Sequence, residues 1–227
     1  MATFDIHPKH LADALANAVD MGKDKLTRPL IYLRVSGDTL HAYGRGLYTA
    51  GRDAREFRAD SPQYAEIVIT EDEAAELATA LRGVEGAGRK ETTVSVAVAE
   101  RTHLKVEYGA EILCELPDAD DLQETFGEPD EVSDWEEIDI LLGEISNSQD
   151  SPPLTRFGFQ KDILARLNKI RADSNVMDIA LHPTGHATGI ALGSTFRALV
   201  AGIDRQKFAN GGTWGDGPGK PEMLWEA

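Results

Sequence analysis

The first 117 residues write one supersecondary pattern twice, and that repetition restricts the fold more than any other feature of the chain. Each copy reads as a strand, a helix and then three strands. In the first copy, residues 3–6 form a strand and Pro8 suits the first helical position. Leu11, Leu15 and Val19 follow at helical spacing, and Gly22 ends the run. Ile31, Leu33 and Val35 then alternate, a Gly37-Asp38 turn leads into 40–43, and a longer strand covers 47–57. The second copy opens with a strand over 66–69. Thr70 and Glu73 make a capping box before Ala74, Leu77, Ala78 and Leu81, and Gly83 closes the helix. Val94, Val96 and Val98 alternate, as do Leu104, Val106 and Tyr108, then Ile112, Cys114 and Leu116. The expected class is α+β, with half-buried strands and helices on one side.

Beyond Pro117 the texture changes. Residues 118–150 form an acidic connector with one amphipathic helix, from Ser133 through Trp135, Ile138, Leu141, Leu142 and Ile145, which reads as the shortened first unit of a second domain. Residues 151–208 repeat the pattern once more. They give a strand over 155–159, a helix over 160–171 with Ile163, Leu164, Leu167 and Ile170 on its apolar stripe, and strands over 176–181, 187–192 and 195–203. Residues 209–227 are a Gly-rich tail ending in Met223-Leu224-Trp225.

Charge follows the same divisions. Residues 1–117 hold 14 Lys+Arg against 19 Asp+Glu, 118–150 hold none against 13, and 151–227 hold 9 against 7. Most of the net −16 therefore lies in one segment. The remainder is close enough to neutral to gather its cations on one face, as a phosphate backbone requires.

A tandem of such units, two per domain, resembles the DNA sliding clamp family shared by the bacterial polymerase III beta clamp and proliferating cell nuclear antigen. The run 40–50, Leu-His-Ala-Tyr-Gly-Arg-Gly-Leu-Tyr-Thr-Ala, is similar in place and shape to a bacterial clamp segment reading Ala-Thr-Asp-Gly-x-Arg-Leu-Ala. Tyr43-Gly44-Arg45 replaces its Thr-Asp-Gly core. The run 193–205 resembles the end of bacterial clamps, which close on a Leu-Ile-Met-Pro-Val-Arg strand, although Met-Pro is absent. The likeness covers 3–117 and 154–205. It implies a clamp fold of two domains, the second partly shortened, and a ring of six domains, hence a homotrimer. In its size and its divergent repeats, the chain is similar to a bacteriophage clamp more than to a host one.

The resemblance also implies functions for residues. Clamp helices line the hole, so the expected DNA-facing cations are Lys9, Lys23, Lys25 and Arg28 about the first helix, Arg82, Arg89 and Lys90 after the second, and Lys161, Arg166, Lys169 and Arg171 on the third. A closed ring holds DNA by topology, and weak phosphate contacts leave it free to slide. The partner-peptide pocket of the family falls on Tyr43, Arg45, Leu47, Leu116, Pro117, Leu199, Val200 and Ile203, residues that as apolar strand positions equally suit a core. Polymerase and clamp loader would dock there through short hydrophobic peptides.

Catalysis finds no support in the motifs. His182 and His186 flank a Pro-Thr-Gly turn and share no helix face, Gly44 and Gly46 lack a third glycine and a following helix, and the acids of 118–137 have no ligand spacing. Cys114 is the sole cysteine, in an alternating strand, where a small buried hydrophobe is the ordinary reading. The chain is expected to need no cofactor or metal. No apolar run approaches the roughly 20 residues of a membrane span and the start lacks a secretion signal, so the expected location is the cytoplasm. The rival reading is an acidic inhibitor or adaptor, in which 118–150 imitates nucleic-acid charge and occupies a DNA-binding protein. It explains the charge run but not the outward cations of the repeated helices. A metal-dependent hydrolase built on the same acids ranks below both.

Overall fold

The two copies of the pattern do not fold side by side; each completes its sheet with a strand taken from the other. The computed structural model describes residues 1–23, 30–46, 48–99, 103–116, 132–147, 161–181 and 187–201. The first copy comprises β1 (Ala2–Ile6), α1 (Pro8–Gly22), β2 (Leu30–Gly37), β3 (Thr39–Arg45) and β4 (Thr49–Glu56). The second comprises β5 (Gln63–Thr70), α2 (Glu71–Gly83), β6 (Val94–Ala99), β7 (His103–Tyr108) and β8 (Glu111–Leu116). One sheet runs β1-β6-β7-β8, so the first strand of copy one edges the strands of copy two, Phe4 opposite Val96. Reciprocally, β5 pairs with β2, Ile69 opposite Ile31.

The local rules that start and stop these elements act as the residues dictate. The α1 N-cap is His7, whose Nδ1 accepts the Lys9 N–H at 3.2 Å. The ring proton therefore belongs on Nε2, which donates to the Arg89 carbonyl at 3.0 Å and ties the end of the second helical region to the start of the first. The Thr70–Glu73 capping box is complete in both directions, and Glu71, Asp72 and Glu73 occupy the first turn of α2, where the helix dipole favours acids. Leu11, Leu15, Leu77 and Leu81 pack with the alternating strand residues of both sheets into one core. Burying each such side chain stabilises by about 1.5–3 kcal/mol. At Gly44 the α1 backbone passes so close that a Cβ would lie 1.8 Å from the Ala18 carbonyl oxygen, so only glycine fits beneath the helix.

The remaining elements are α3 (Val132–Asn147), α4 (Lys161–Leu167), β9 (Met177–Leu181), β10 (Ala187–Leu192) and β11 (Phe196–Ala201). They extend the second sheet rather than start a new one. Antiparallel pairing of β11 with β4, Leu199 opposite Ala50, gives seven strands in the order β5-β2-β3-β4-β11-β10-β9. The expected strand over 155–159 lies outside the described residues, as does the tail 209–227.

Helix α4 is shorter than the expected 160–171. The Lys169 and Ile170 amides bond three residues back, to Arg166 and Leu167, and residue 171 leaves the helix to bond elsewhere. Its apolar stripe is also narrower than the spacing suggests. Ile163 and Leu167 are buried against Met21, Ile190, Phe196 and Val200, whereas Leu164 is exposed.

Helix α3 departs from the expectation for a shortened unit. A unit like the others would set its helix on the α1 and α4 side of the sheet. Instead Trp135, Ile138, Leu142 and Ile145 pack on Tyr32, Tyr43, Ala50 and Leu199, side chains that alternate with the core-facing Ile31, Leu33 and Ala42 and so point the other way. The seven-stranded sheet is thus covered on both faces. No helix among the described residues is long and apolar enough to cross a membrane.

Candidate nucleic-acid interface and partner pocket

Helices α1, α2 and α4 share one side of the sheets, yet the cations there divide into free and engaged. Exposed are Lys23 at the end of α1, Arg82 in the last turn of α2, Arg89 and Lys90 in the loop after it, and Lys169 beyond α4. Lys9 is largely exposed, with its Nζ 2.6 Å from Asp13 Oδ2. Arg166 is part-buried and sits 3.6 Å from Asp162 one turn back. The Lys161 side chain, Lys25 and Arg28 lie outside the described residues.

Arg171 serves a different purpose from the one its spacing suggests. Its guanidinium reaches Asp13 at 3.8 Å and Asp20 at 4.0 Å, two acids buried on α1. Its backbone is held as firmly: the N–H donates to Asn17 Oδ1 at 2.8 Å, and the carbonyl accepts from Asn17 Nδ2 at 2.9 Å and Arg55 Nη2 at 2.8 Å. Arg55 also donates twice to the fully buried Asp53. Burial pushes the Asp53 carboxyl up from its ordinary value, opposed by the Arg55 and Asn17 bonds. The whole cluster ties α1 and β4 to the segment after α4, locking the β4–β11 seam from the helical side. Sequence reasoning missed it. The signal was Asp13, Asn17 and Asp20 on one face of an otherwise apolar helix, a stripe that reads as solvated until a loop covers it.

Of the expected pocket residues, the structure brings together two. Tyr43 and Leu199 are both buried on the sheet face beneath α3. Arg45 shares the strand face of Tyr43 and lies opposite Ala50, which in turn lies opposite Leu199. Val200 points to the other face, into the α4 cluster, and Leu116 packs against the core of the first two copies. Leu47, Pro117 and Ile203 lie outside the described residues.

The face beneath α3 mixes aromatic rings with cations. Tyr32 stacks on Trp135 at 5.4 Å between centroids, 7° from parallel, and Tyr43 meets the same indole at a tilt of 56°. Tyr43 Oη donates to Asp139 Oδ2 and Arg52 Nη1 to Asp139 Oδ1, each at 2.7 Å. Burial, then the Asp139 charge, pushes the Tyr43 phenol up. Next to it, His41 is held down to about 4, by burial first and by Arg52 second. Among the described residues, His41 Nδ1 and Arg52 Nε are buried with no hydrogen-bond partner, as is Thr188 Oγ1 on the opposite face of the sheet. Cys114, half-buried on β8, has its thiol pushed up to about 11 by burial and by Glu73 and Glu76, which leaves it unreactive. No cluster of metal-ligating side chains occurs among the described residues.

No family model matches the chain, and no curated protein matches it by sequence. Solved structures do. The DNA polymerase sliding clamp of Pseudomonas aeruginosa superposes with a TM-score of 0.55 at 14% identity, over 95% of this chain and 66% of that one. The DNA polymerase III beta subunit of Thermotoga maritima gives 0.55 at 10% identity, over 90% and 65%. The Helicobacter pylori beta clamp, bound to a DNA ligase peptide, gives 0.55 at 13%, over 93% and 67%. This chain therefore spans about two thirds of the length of the clamps it matches. The exchange of first strands between paired copies, the edge-to-edge joining of sheets and these superpositions give one conclusion: the chain has the fold of the DNA sliding clamps, mixed α and β with antiparallel sheets, in a shortened form.

Proposed function

We propose that the protein is a non-catalytic sliding clamp subunit, a polymerase processivity factor that encircles duplex DNA and tethers polymerase and other replication proteins to it. The observation that carries this reading is the β4–β11 seam, where a third unit joins the first edge to edge. That joining is how curved sheets are continued from one module to the next without a break in hydrogen bonding. Among the described residues the sheets end in β1 and β8 and in β5 and β9; β1 and β5 lie against each other, with the Thr3 N–H donating to Gln63 Oε1, whereas Ile112 on β8 and Ile179 on β9 are exposed. Free strand edges recruit partner strands. Two of them on one chain suit head-to-tail association, which closes into a ring when the rotation permits. A homotrimer is the closure we favour, and a location in the cytoplasm of the cell or of a phage-infected host goes with it.

DNA would pass the side that carries α1, α2 and α4. The cations we assign to it are Lys9, Lys23, Arg82, Arg89, Lys90 and Lys169, together with Lys161, Lys25 and Arg28. Lys9, Arg166 and Arg171 contribute less, because Asp13, Asp162 and Asp20 already pair with them. We assign the partner pocket to the α3 face of the seam, about Tyr43, Arg45 and Leu199.

The test is retention on nicked circular DNA. The protein stays on the circle, leaves when the circle is linearised, and loses retention when Arg82, Lys90 and Lys169 are together replaced by Glu with the thermal midpoint unchanged. Equal release from circular and linear DNA refutes encirclement. The rival reading, an acidic decoy that occupies a DNA-binding protein, draws on the 13 uncompensated acids of 118–150. Against it stands the use of Asp139 within the chain, where Tyr43 and Arg52 consume the charge a decoy would display.

A further inference from the structure

The third unit has an open edge where the other two are covered. In each copy of the pattern the first strand after the helix carries a strand lent by its neighbour: β2 carries β5 and β6 carries β1. The equivalent strand after α4 is β9, and among the described residues it ends the sheet. Ile31, Leu33 and Val35 on β2 are at most 3% exposed, and Val94, Val96 and Val98 on β6 at most 2%. On β9 the corresponding row is open. Met177 lies opposite Leu192 and Ile179 opposite Ile190, so both point to the α4 side, yet they are 38% and 46% exposed. Ending a sheet does not account for this, since β1 and β5 also end theirs and keep Phe4, Ile6, Ile67 and Ile69 buried. What β9 lacks, among the described residues, is a neighbouring strand with apolar side chains on the α4 side.

The source of such a strand follows from the end of β11. Ala201 lies opposite Ala187, and Val200 and Leu181 both lie opposite Thr188, so the chain leaves β11 at the end of the sheet that β9 runs toward. Strands lie about 4.8 Å apart, which puts the vacant position about 14 Å from β11. Residues 202–221 follow, Gly211, Gly212, Gly215, Gly217 and Gly219 among them. A Gly-rich chain of that length spans about 25 Å on average. A segment entering from this end runs antiparallel to β9, as the paired strands of both sheets do.

Residues 222–226, Glu-Met-Leu-Trp-Glu, alternate, with Met223 and Trp225 on one face. Three neighbouring registers turn that face to α4, and charge separates them. Trp225 opposite Ile179 sets Glu226 against Asp178, and Met223 opposite Met177 sets Glu222 against it; like charges directly opposite are destabilising. With Met223 opposite Ile179, Trp225 meets Met177, where thioether and indole attract, and Leu224 takes the place beside Asp178.

We propose that residues 222–226 are the missing edge strand of the third unit, paired antiparallel with β9 in that last register, and that they thereby hold β9 closed to a second copy of the chain. The strand stands apart from the clamp reading, whereas the competition rests on the reading that copies associate through β9. Being part of the same chain, 222–226 compete at an effective concentration in the millimolar range. Copies associate through β9 only when they displace them.

Amide hydrogen exchange on the intact chain reads the edge directly. Alternate amides of an end strand point away from its neighbour, and those of 177–181 are expected to exchange at least about tenfold faster in Trp225→Asp than in the unaltered chain. Leu224→Lys works in the opposite sense. Set against Asp178 it slows the same amides about twofold, whereas in either neighbouring register residue 224 meets Val176 or Ala180 and the charge changes nothing. Sedimentation of the same samples reads the competition, and the concentration of half-association falls at least about tenfold in Trp225→Asp.

Exchange over 177–181 that is equal in Trp225→Asp and the unaltered chain overturns the strand, and an unchanged rate in Leu224→Lys overturns its register. Protection that rises with protein concentration also overturns the strand, because it makes a second copy the occupant. Exchange that accelerates while half-association stays the same overturns the competition and removes β9 from the association of copies. Retention on nicked circular DNA is measured on the unaltered chain, and its absence removes the clamp reading without touching the strand.

Discussion

The two faces of the seven-stranded sheet are closed by opposite means. On the helical side, Asn17, Asp53, Arg55 and the Arg171 backbone bond one another in a network that Asp13 and Asp20 extend, while Thr188 Oγ1, on the same face as Val200, is buried without a partner among the described residues. On the other side, α3 contributes a stacked indole, three aliphatic anchors and the Asp139 carboxylate, and among the described residues His41 Nδ1 and Arg52 Nε have no partner. A fully satisfied polar network is expensive to break at any point, because each partner removed strands another in low dielectric. A mostly apolar contact loses its burial when it opens, a loss offset in part because water then reaches the polar groups it had shut in. The first face is held chiefly by a polar network and the second chiefly by apolar contact.

The sharpest way to break that contrast is Asp53→Ala. It leaves the Arg55 guanidinium buried without its carboxylate, and removing one member of such a pair costs about 3–5 kcal/mol. The urea midpoint should drop accordingly, and a loss below about 1 kcal/mol would mean that the network contributes little to holding the seam. Trp135→Ala probes the other face. Truncating a core tryptophan ordinarily costs about 3–5 kcal/mol, but if α3 opens locally the global midpoint moves by less than about 1 kcal/mol, while amide exchange over 135–145 accelerates. A global loss as large as that of Asp53→Ala would show that the two faces are equivalent.

The smallest effect is the dependence on pH. His41 faces Arg52 on β4, Asp139 on α3 and Arg34 on β2, and its folded value of about 4 lies below the ordinary 6.5. The open or unfolded state therefore binds a proton that the closed state refuses. Stability is complete above about 6.5 and declines as pH falls from there through about 4. His41→Gln should flatten that decline in urea titrations run across this window, and an unchanged decline would assign it to other groups.

Much of this architecture could be read from residues whose effect is local. Pro8, Gly22, the Thr70–Glu73 box and the alternating valines of β6 mark element ends and faces because caps and periodicity act within a few residues. Periodicity does not say which strand a strand will pair with, so the exchange of β1 and β5 between copies was invisible. The same limit applies to α3, whose stripe announces a buried face but not which side of which sheet buries it. The surroundings of Arg171 were hidden for a related reason: helical spacing projects it outward, but it lies beyond the end of α4, where its backbone bonds Asn17 and Arg55. Tyr43 and Leu199 lie in one cluster, while Val200 follows the strand alternation to the opposite side.

Lending first strands has a consequence for how such a chain can be cut. Neither copy in residues 1–116 owns a finished sheet, so a fragment ending near residue 60 exposes an unpaired β1 and lacks the edge that β5 gives to β2. The smallest piece able to fold alone is the pair, which must bring together strands nearly a hundred residues apart and should fold slowly for that reason. The third unit stands under a different rule: among the described residues it lends no strand and borrows an edge only from β4, which makes it the portion that can be trimmed or replaced while the pair survives.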